Sequence, residues 1–414
     1  MATNKRKIIN DPVYGFLSIE DDLIFDVISH PYFQRQRHIK QLGFTYLVYP
    51  GAVHSRFSHM LGALNLTSRA IETLRSKHVY INEEEALGVK LAILLHDIGH
   101  GPFSHTSEHH LIDCHHECLT LLFMQRLNEE FDGKLTTAIQ IFEDSYPRHF
   151  LHQLVSSQLD MDRLDYLGRD SFFTGVSEGI VGTDRIISML NVKDDELVID
   201  EKGIYSIEKF IISRRLMYWQ VYLHKTVIAA DNTFLPILRR ARYLMESGLY
   251  PPSSQHPMIA SLEDFLSHHY TEADFRSDRR LLDRFALIDD NDIMTAVKGW
   301  MSHPDPVLSS LCQNLVYRNL SAIRVSDKPF PQETIDTLRT QTQLLYGISP
   351  EETDYFVSTG LLENHAYSFN DREIKVLYKD GRCIDISKAS DQLDRRFLEK
   401  SVTKYYIYFP KELK

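Results

Sequence analysis

Two adjacent side chains, His96 and Asp97, end an apolar segment just before a glycine-rich stretch, HDIGHGPF. Neighbouring residues on a helix point about 100° apart, so one metal ion near the helix end can contact both side chains. A catalytic metal needs about three or four protein ligands, with a position left for water. Further ligands are available in other helical segments, from His59 in RFSHMLG and from Asp162 in LDMDRLDYLGRD. This pattern is consistent with a metal cage inside a helical bundle.

The surroundings of the His-Asp pair decide how much weight it carries, because a histidine at the end of an apolar helix is usually structural. Both flanks are apolar here, and a carboxylate on an apolar helix needs a partner or a metal. The glycines that follow allow backbone and ligand to approach closely. Of the 20 histidines, seven lie between residues 96 and 116. Several costly polar residues at one helix end favour a functional site over an ordinary core.

The elements that would position these side chains are predicted to be mostly helices. Apolar residues recur at helical spacing over residues 53–76, 84–96, 115–129, 150–168 and 206–246, the last as one or two helices. Strands are predicted beyond about residue 325, at 373–378, 382–386 and 404–409. The pair Asp380-Gly381 is a hairpin signal between the first two strands. We expect a mainly α fold, with a helical domain over residues 1–324 and a small α+β lobe over residues 325–414.

Composition and charge exclude several classes of protein. The chain has 414 residues with 46 Lys and Arg against 57 Asp and Glu, a net charge of −11. This balance argues against a nucleic-acid binder that works by bulk charge. Four cysteines exclude a disulfide scaffold and favour a reducing compartment. The sequence shows no signal-peptide pattern and no apolar run near the ~20 residues of a membrane span, so we expect a soluble, cytoplasmic protein.

Two of the cysteines, Cys114 and Cys118, stand four residues apart beside His115. Such a group could indicate a zinc site. Two small core residues are the favoured interpretation from the sequence.

The ordered set of motifs resembles the HD-domain deoxynucleoside triphosphate triphosphohydrolases. The resemblance rests on HDIGHGPFSH at 96–105, RFSH at 56–59, IKQLG at 39–43, DMDRLDYLGRD at 160–170 and INDPVYGF at 9–16. A bare HD pair is shared by many unrelated phosphohydrolases, whereas the ordered set is specific. The resemblance implies an HD-domain helical bundle, a divalent metal ion, a dNTP substrate and a homo-oligomer, either dimer or tetramer. Histidine and carboxylate ligands suit Mn, Fe, Zn, Ni or Mg, and Mg is also a candidate on the substrate triphosphate.

The resemblance also implies roles for individual residues. The metal ligands would be His59, His96, Asp97 and Asp162. The catalytic group at the α-phosphate would comprise His100, His105 and His116, supported by Glu108 and Glu117. The sugar would be lined by Gln41, Leu42 and Asp170. The phosphates would be held by Arg56, Arg163, Tyr166 and Arg214. In the family, the tyrosine matched by Tyr222 packs near the 2′ carbon of deoxyribose.

A nucleotide activator site is a further implication of the resemblance. Its candidate residues are Lys7, Arg37 and Lys225. Ser29 stands where the family has the acidic residue that reads guanine, so the activating nucleotide stays open.

Helical spacing agrees with two of these assignments. The spacing i, i+4, i+8 places residues on one helix face, and it relates Asp162, Tyr166 and Asp170. The same spacing relates Arg214, Tyr218 and Tyr222. Each helix can therefore present one polar stripe to a shared cavity.

The predicted function is metal-dependent hydrolysis of dNTPs to a deoxynucleoside and inorganic triphosphate. A histidine suits protonation of the leaving group near pH 7, and His105 or His100 is the candidate. One alternative is another HD-type phosphohydrolase: a nucleotide phosphatase, a cyclic-nucleotide phosphodiesterase or an alarmone hydrolase. A second alternative is a nucleotide sensor or nucleic-acid binder that keeps the fold without turnover.

Overall fold

The structure is a computed structural model that describes residues 7–250, 259–364, 373–393 and 402–414. Its helices, α1 to α18 in chain order, are Asp22–Ser29, Pro31–Gln34, Arg56–Ser76, Glu83–Leu95, His116–Glu130, Thr136–Phe142, His149–Gln153, Met161–Thr174, Thr183–Met189, Ile204–Met217, Lys225–Glu246, Ala260–Ser267, Glu272–Ser277, Arg279–Phe285, Asp290–Trp300, Pro306–Val316, Gln332–Tyr346 and Ile386–Ala389. Its strands, β1 to β9, are Lys7–Asp11, Gly15–Ile19, Leu190–Lys193, Glu196–Asp200, Ala322–Ser326, Ser358–Asn364, Lys375–Leu377, Cys383–Asp385 and Val402–Phe409. The mainly α fold with a small α+β part is confirmed.

Helix α4 forms the centre of the helical body. It starts with a capping box in which Asn82 and Glu85 each accept the other's backbone N–H. From Leu91 to Leu95 every residue is buried, as expected for a helix that is apolar on all sides. Because its C-terminal end is enclosed, His96 and Asp97, which follow it directly, enter the interior of the protein.

One helical prediction required correction, and a second segment agrees with the prediction of one or two helices. The single helix predicted over 150–168 is wrong, because Asp160 accepts hydrogen bonds from the backbone N–H groups of Ser157 (2.8 Å) and Arg163 (2.7 Å). This cap starts α8 and separates it from α7. The segment predicted over 206–246 consists of α10 and α11, joined by a π-helical turn, Tyr218–Tyr222. The loop predicted over 250–258 lies outside the described residues except for Tyr250.

Within the described residues the strands form three antiparallel or mixed sheets with the orders β1-β2, β3-β4-β7-β8 and β5-β9-β6. The predicted strands β7, β8 and β9 are confirmed, and β7 and β8 form the expected antiparallel hairpin around Gly381, with φ of +85°. Strands β1 to β6 were not predicted. The parallel pairing of β4 with β7 carries one sheet across the expected division at residue 324, which itself falls within β5.

No helix among the described residues combines the length and the apolar character needed to cross a bilayer.

Candidate active site

Four side chains from three parts of the fold converge as the sequence predicts. His59 lies in the first turn of α3, His96 and Asp97 follow α4, and Asp162 is the second residue of α8. Nε2 of His59 is 3.0 Å from Oδ1 of Asp162, 3.5 Å from Oδ2 of Asp97 and 3.4 Å from Nε2 of His96. Nε2 of His96 is 3.4 Å from Oδ1 of Asp162 and 3.5 Å from Oδ1 of Asp97.

The donor set fits a divalent cation. Nδ1 of His96 donates to the backbone carbonyl of Ile93 at 2.6 Å, and Nδ1 of His59 lies 2.7 Å from Oδ2 of Asp165. Both rings therefore turn Nε2 towards the carboxylates of Asp97 and Asp162. Neutral imidazoles would present only lone pairs there, beside two anions, and a cation resolves this repulsion. Imidazole and carboxylate ligands suit Mn, Fe, Zn or Ni.

The electrostatics of the centre favour positive charge. Burial lowers the pKa of His59, but the hydrogen-bonded carboxylates of Asp162 and Asp165 outweigh it and raise that pKa to about 10. Burial raises the pKa of Asp97, but Arg56 and the neighbouring histidines hold it well below its usual range. Hydrogen bonds from the histidines likewise lower the pKa of Asp162 against the effect of burial. Both carboxylates are therefore ionised at neutral pH.

A buried chain of charges behind His59 was missed by the sequence reasoning. Asp165 accepts from Nε of Arg169 at 2.9 Å, and Arg169 donates in turn to Asp11 at 2.8 Å. The side chains of Asp165 and Arg169 are fully buried. Such outer partners fix the tautomer and ring orientation of a metal-binding histidine. The i, i+4 spacing of Asp165 and Arg169 was the available signal, but the face of α8 through Asp162, Tyr166 and Asp170 was followed instead.

Three histidines form a cluster organised by Glu108. The rings of His100 and His116 stack with centroids 3.9 Å apart, and the ring of His105 lies 4.6 Å from that of His100. Glu108 contacts Nδ1 of His105 at 3.1 Å and Nδ1 of His116 at 2.9 Å. Glu117 is exposed in the first turn of α5, and no hydrogen bond joins it to these histidines in the described part of the chain.

The cluster is connected to the metal centre and its members differ in charge. Nε2 of His100 lies 3.4 Å from Oδ1 of Asp97. Burial and the nearby Arg56 hold the pKa of His100 well below its usual value, so this ring is neutral near pH 7. Burial raises the pKa of Glu108, but hydrogen bonds from His105 and His116 outweigh this effect and lower the pKa, so Glu108 remains a carboxylate. The side chain of His105 is 69% exposed, so it is the member open to a substrate.

A second polar group connects three residues that were assigned to the sugar. Asp170 accepts from the hydroxyl of Tyr222 at 2.7 Å and lies 2.8 Å from Nε2 of His54. The backbone carbonyl of His54 accepts from Gln41 at 3.0 Å, while Oε1 of Gln41 is buried with no partner among the described residues. His54 therefore holds Gln41 and Asp170 together, although no sequence signal pointed to it. Leu42 follows Gln41 and is partly buried against the core.

Known proteins share this arrangement of sequence and fold. The family model of the HD domain matches residues 56–154, and that of the HD associated region matches residues 181–235. The crystal structure of a phosphohydrolase from Bacteroides thetaiotaomicron is 48% identical, with a TM-score of 0.92 over 98% of this chain and 99% of its own. The uncharacterized protein YwfO of Bacillus subtilis is 30% identical over 99% of this chain and 93% of its own length. The chain belongs to the HD-domain phosphohydrolase family.

Curated triphosphohydrolases match part of this phosphohydrolase. The deoxynucleoside triphosphate triphosphohydrolase of Homo sapiens is 30% identical over 267 residues, which cover 53% of this chain and 42% of the human protein. The phosphohydrolase thus matches less than half of that relative's length. Members of this family are hydrolases whose HD domain binds a divalent metal. In this chain, the group of histidines and aspartates described above fits such a metal.

The arginines assigned to phosphate occupy two environments in the phosphohydrolase. Arg163 donates to the carbonyl of Ser157 at 2.7 Å, and Arg214 donates to Oε1 of Gln158 at 3.1 Å, so both side chains bond to the loop between α7 and α8. Tyr166, one turn after Asp162, interacts electrostatically with both arginines. Arg56 differs, because its side chain is 2% exposed and bonded to Asp97 and to Oγ of Ser104.

The three residues assigned to an activating nucleotide each have different neighbours. Lys7 is over the ring of Phe25, at 5.9 Å, and Arg37 is over the ring of Phe57, at 3.6 Å. Lys225 opens α11 and lines a cavity of about 270 Å³ whose other cationic residues are Arg318, Lys411 and Lys414. No contact joins Lys7, Arg37 and Lys225 within the described ranges, and the activator site stays a prediction.

Proposed function

We propose that this phosphohydrolase cleaves deoxynucleoside triphosphates at the α-phosphorus and releases a deoxynucleoside and inorganic triphosphate. The observation that carries the proposal is the direct junction of two groups, the metal ligands and the histidine cluster, through Asp97 and His100, 3.4 Å apart. A site with a metal and a histidine acid side by side suits hydrolysis of a phosphoester. The resemblance to the triphosphohydrolases supports the substrate class.

The ligands His59, His96, Asp97 and Asp162 would hold the metal. When bound, a divalent ion polarises a phosphoryl oxygen and makes a water nucleophilic near neutral pH. Arg56 holds Asp97 in place and keeps it ionised. The chain's own groups thus supply an anionic, oriented set of ligands.

Proton transfer to the departing deoxynucleoside oxygen falls to His105. Its Nδ1 faces Glu108, which leaves Nε2 as the atom that can carry the proton to the substrate. His100 is buried and neutral, so it is the weaker of the two sequence candidates for this role. Arg163 and Arg214 would neutralise the phosphates by forked hydrogen bonds.

Product analysis tests the proposed reaction. The four dNTPs and the four NTPs, alone and in pairs with several metals, are assayed for inorganic triphosphate and nucleoside. We expect triphosphate and deoxynucleoside in equal amounts from dNTPs, and none from Asp97→Asn, because the amide removes an anionic ligand. Stepwise loss of single phosphates would contradict the proposal and favour another HD-type phosphohydrolase.

Selection against ribose is proposed to depend on the ring of Tyr222. Its hydroxyl is fixed by Asp170, which would place the ring against the 2′ carbon. We expect Tyr222→Ala to raise the NTP-to-dNTP ratio of kcat/KM, because the space for a 2′ hydroxyl opens. The matched variant Tyr222→Phe keeps the ring and should keep the discrimination. An unchanged ratio in Tyr222→Ala would remove this residue from sugar selection.

The homo-oligomeric state, an activating nucleotide and the cytoplasmic location stay predictions.

A further inference from the structure

A third donor completes the cysteine pair that the sequence shows. The thiols of Cys114 and Cys118 and a carboxylate oxygen of Glu272 all lie within 4.8 Å of one another. Cys114 lies two residues before α5 and Cys118 lies in its first turn, whereas Glu272 is the first residue of α13. The sequence alone could not identify Glu272 as a member of this group, because it is remote from both cysteines along the chain. The cluster contains none of the residues proposed to bind the active-site metal.

The backbone on either side holds the donors in register. Asp113 forms a parallel bridge with Thr271, and its N–H donates to the carbonyl of Tyr270 at 2.8 Å. These residues directly precede Cys114 and Glu272, so the two segments are bonded together just before their donors. Thr271 also caps α13 in a capping box with Asp274, which fixes the start of the helix at Glu272. The three donors are thus presented by restrained backbone rather than by free loops.

The donor chemistry selects a thiophilic cation. Two thiolates and one carboxylate are three ligands of a tetrahedral zinc site, with the fourth position left for water. Ligands at about 2.3 Å from zinc would bring two sulfurs to about 3.8 Å, and the donor atoms here lie within 4.8 Å of one another. Cys118 lies in the first turn of α5, where the helix dipole favours a thiolate, and Arg276 lies beside the pair. Burial raises the pKa of both thiols, so a bound ion would replace two protons.

We propose that Cys114, Cys118 and Glu272 form a second metal site, for Zn²⁺, that fastens α5 to α13. The site also restrains the turn that carries His116, which lies between the two cysteines and belongs to the histidine cluster. It is independent of the proposed triphosphohydrolase reaction, because it neither binds substrate nor supplies a reacting group.

Cadmium titration tests the site apart from activity. Thiolate ligation of Cd²⁺ gives a charge-transfer absorption in the ultraviolet, whereas the active-site donors are nitrogen and oxygen and give none. Reduced, metal-free protein titrated with Cd²⁺ should show this band saturating within two equivalents, because the active-site donors take up the ion without adding to the band, and Zn²⁺ should displace it competitively. Cys114→Ser and Cys118→Ser should lose the band, and Glu272→Gln should bind at least about tenfold more weakly. The matched control Cys312→Ser, which alters a buried cysteine of α16, should behave as the wild type.

Several outcomes would overturn the site. Absence of the band in reduced wild-type protein would do so, as would a band that survives Cys118→Ser or equal affinity in Glu272→Gln. Cys118 is only partly buried, and serine differs from it by one atom, so this variant tests the site even if Cys114→Ser fails to fold. Circular dichroism of each variant confirms that the helices are retained before titration.

Discussion

At the scale of single residues, buried partners determine which way each catalytic side chain points. The carbonyl of Ile93 fixes His96, Asp165 fixes His59, and Arg56 fixes Asp97. Removing one member of a buried charged pair costs about 3–5 kcal/mol, because the other charge is left uncompensated. The site is therefore sensitive to residues that never contact substrate, and Asp165 is the foremost of them.

Glu108 and Glu117 allow a direct comparison at this scale. Glu108→Gln should lower kcat about 10²- to 10⁴-fold, because the histidines lose the carboxylate that orients them. Glu117→Gln should stay close to the wild-type rate, because that side chain is exposed and no hydrogen bond joins it to the histidines in the described residues. Steady-state kinetics at saturating metal measure both, with metal content as the control. Equal losses in the two variants would restore Glu117 to the catalytic group.

At the scale of elements, the site depends on close approach between helices. A Cβ on Gly99 would lie 2.2 Å from the carbonyl oxygen of His116, so only glycine lets the end of α4 pass the start of α5. The π-helical turn between α10 and α11 is a second local departure, and such turns are frequent at functional sites. It brings the rings of Tyr218 and Tyr222 to 5.1 Å. Helical periodicity predicted that Tyr218 and Tyr222 lie on one helix face, but it could not predict the widened turn.

Two helical glycines give opposite expectations for the same substitution. A Cβ on Gly62 in α3 would lie 2.0 Å from Oδ1 of Asp165 and 2.3 Å from Arg169, whereas one on Gly168 in α8 would meet nothing within 4 Å. Gly62→Ala should lower the free energy of unfolding by about 1–3 kcal/mol through overpacking, and should weaken metal binding by displacing Asp165. Gly168→Ala should raise the free energy of unfolding by up to about 1 kcal/mol. Urea denaturation measures both variants, and a stabilised Gly62→Ala would contradict the close packing described here.

At the scale of the whole molecule, α11 links the catalytic region to the C-terminal part. Asp231 in α11 accepts a hydrogen bond from the hydroxyl of Thr106 at 3.1 Å, next to His105. The same helix packs against α16 and β5, so it reaches from the active site to the sheet β5-β9-β6. Burial raises the pKa of Asp231 to about 7, although the hydrogen bond from Thr106 opposes the shift.

The stability of the folded protein should consequently depend on pH through Asp231. Below about pH 4 this carboxyl is protonated in both the folded and unfolded states. Between about pH 4 and 7 the unfolded chain loses the proton while the folded protein keeps it, so this residue's contribution to stability falls as pH rises. Asp231→Asn, which stays neutral, should therefore gain stability relative to wild type from about pH 5 to 7 and hold that gain above. Urea denaturation across this range measures the difference, and a difference independent of pH would contradict the raised pKa.

The sequence by itself determined the helical class, most of the long helices and the four metal-ligand candidates. Apolar periodicity indicates which face of a helix is buried. The HD pair with its glycines is a local feature, so it can be recognised without knowing what packs against it. The hairpin around Asp380-Gly381 was likewise readable, since the turn is encoded by adjacent residues. These features depend on neighbours along the chain.

Only the tertiary structure decided which side chains became partners. It paired Arg56 with Asp97, placed Asp165 behind His59, set His54 between Gln41 and Asp170, and brought Glu272 to the two cysteines. Each pairing joins segments that are distant in sequence, and periodicity names a face without naming what packs against it. The break between α7 and α8 was missed for a related reason: the Asp160 cap competes with a continuous helix, and the pattern of apolar residues does not record that competition.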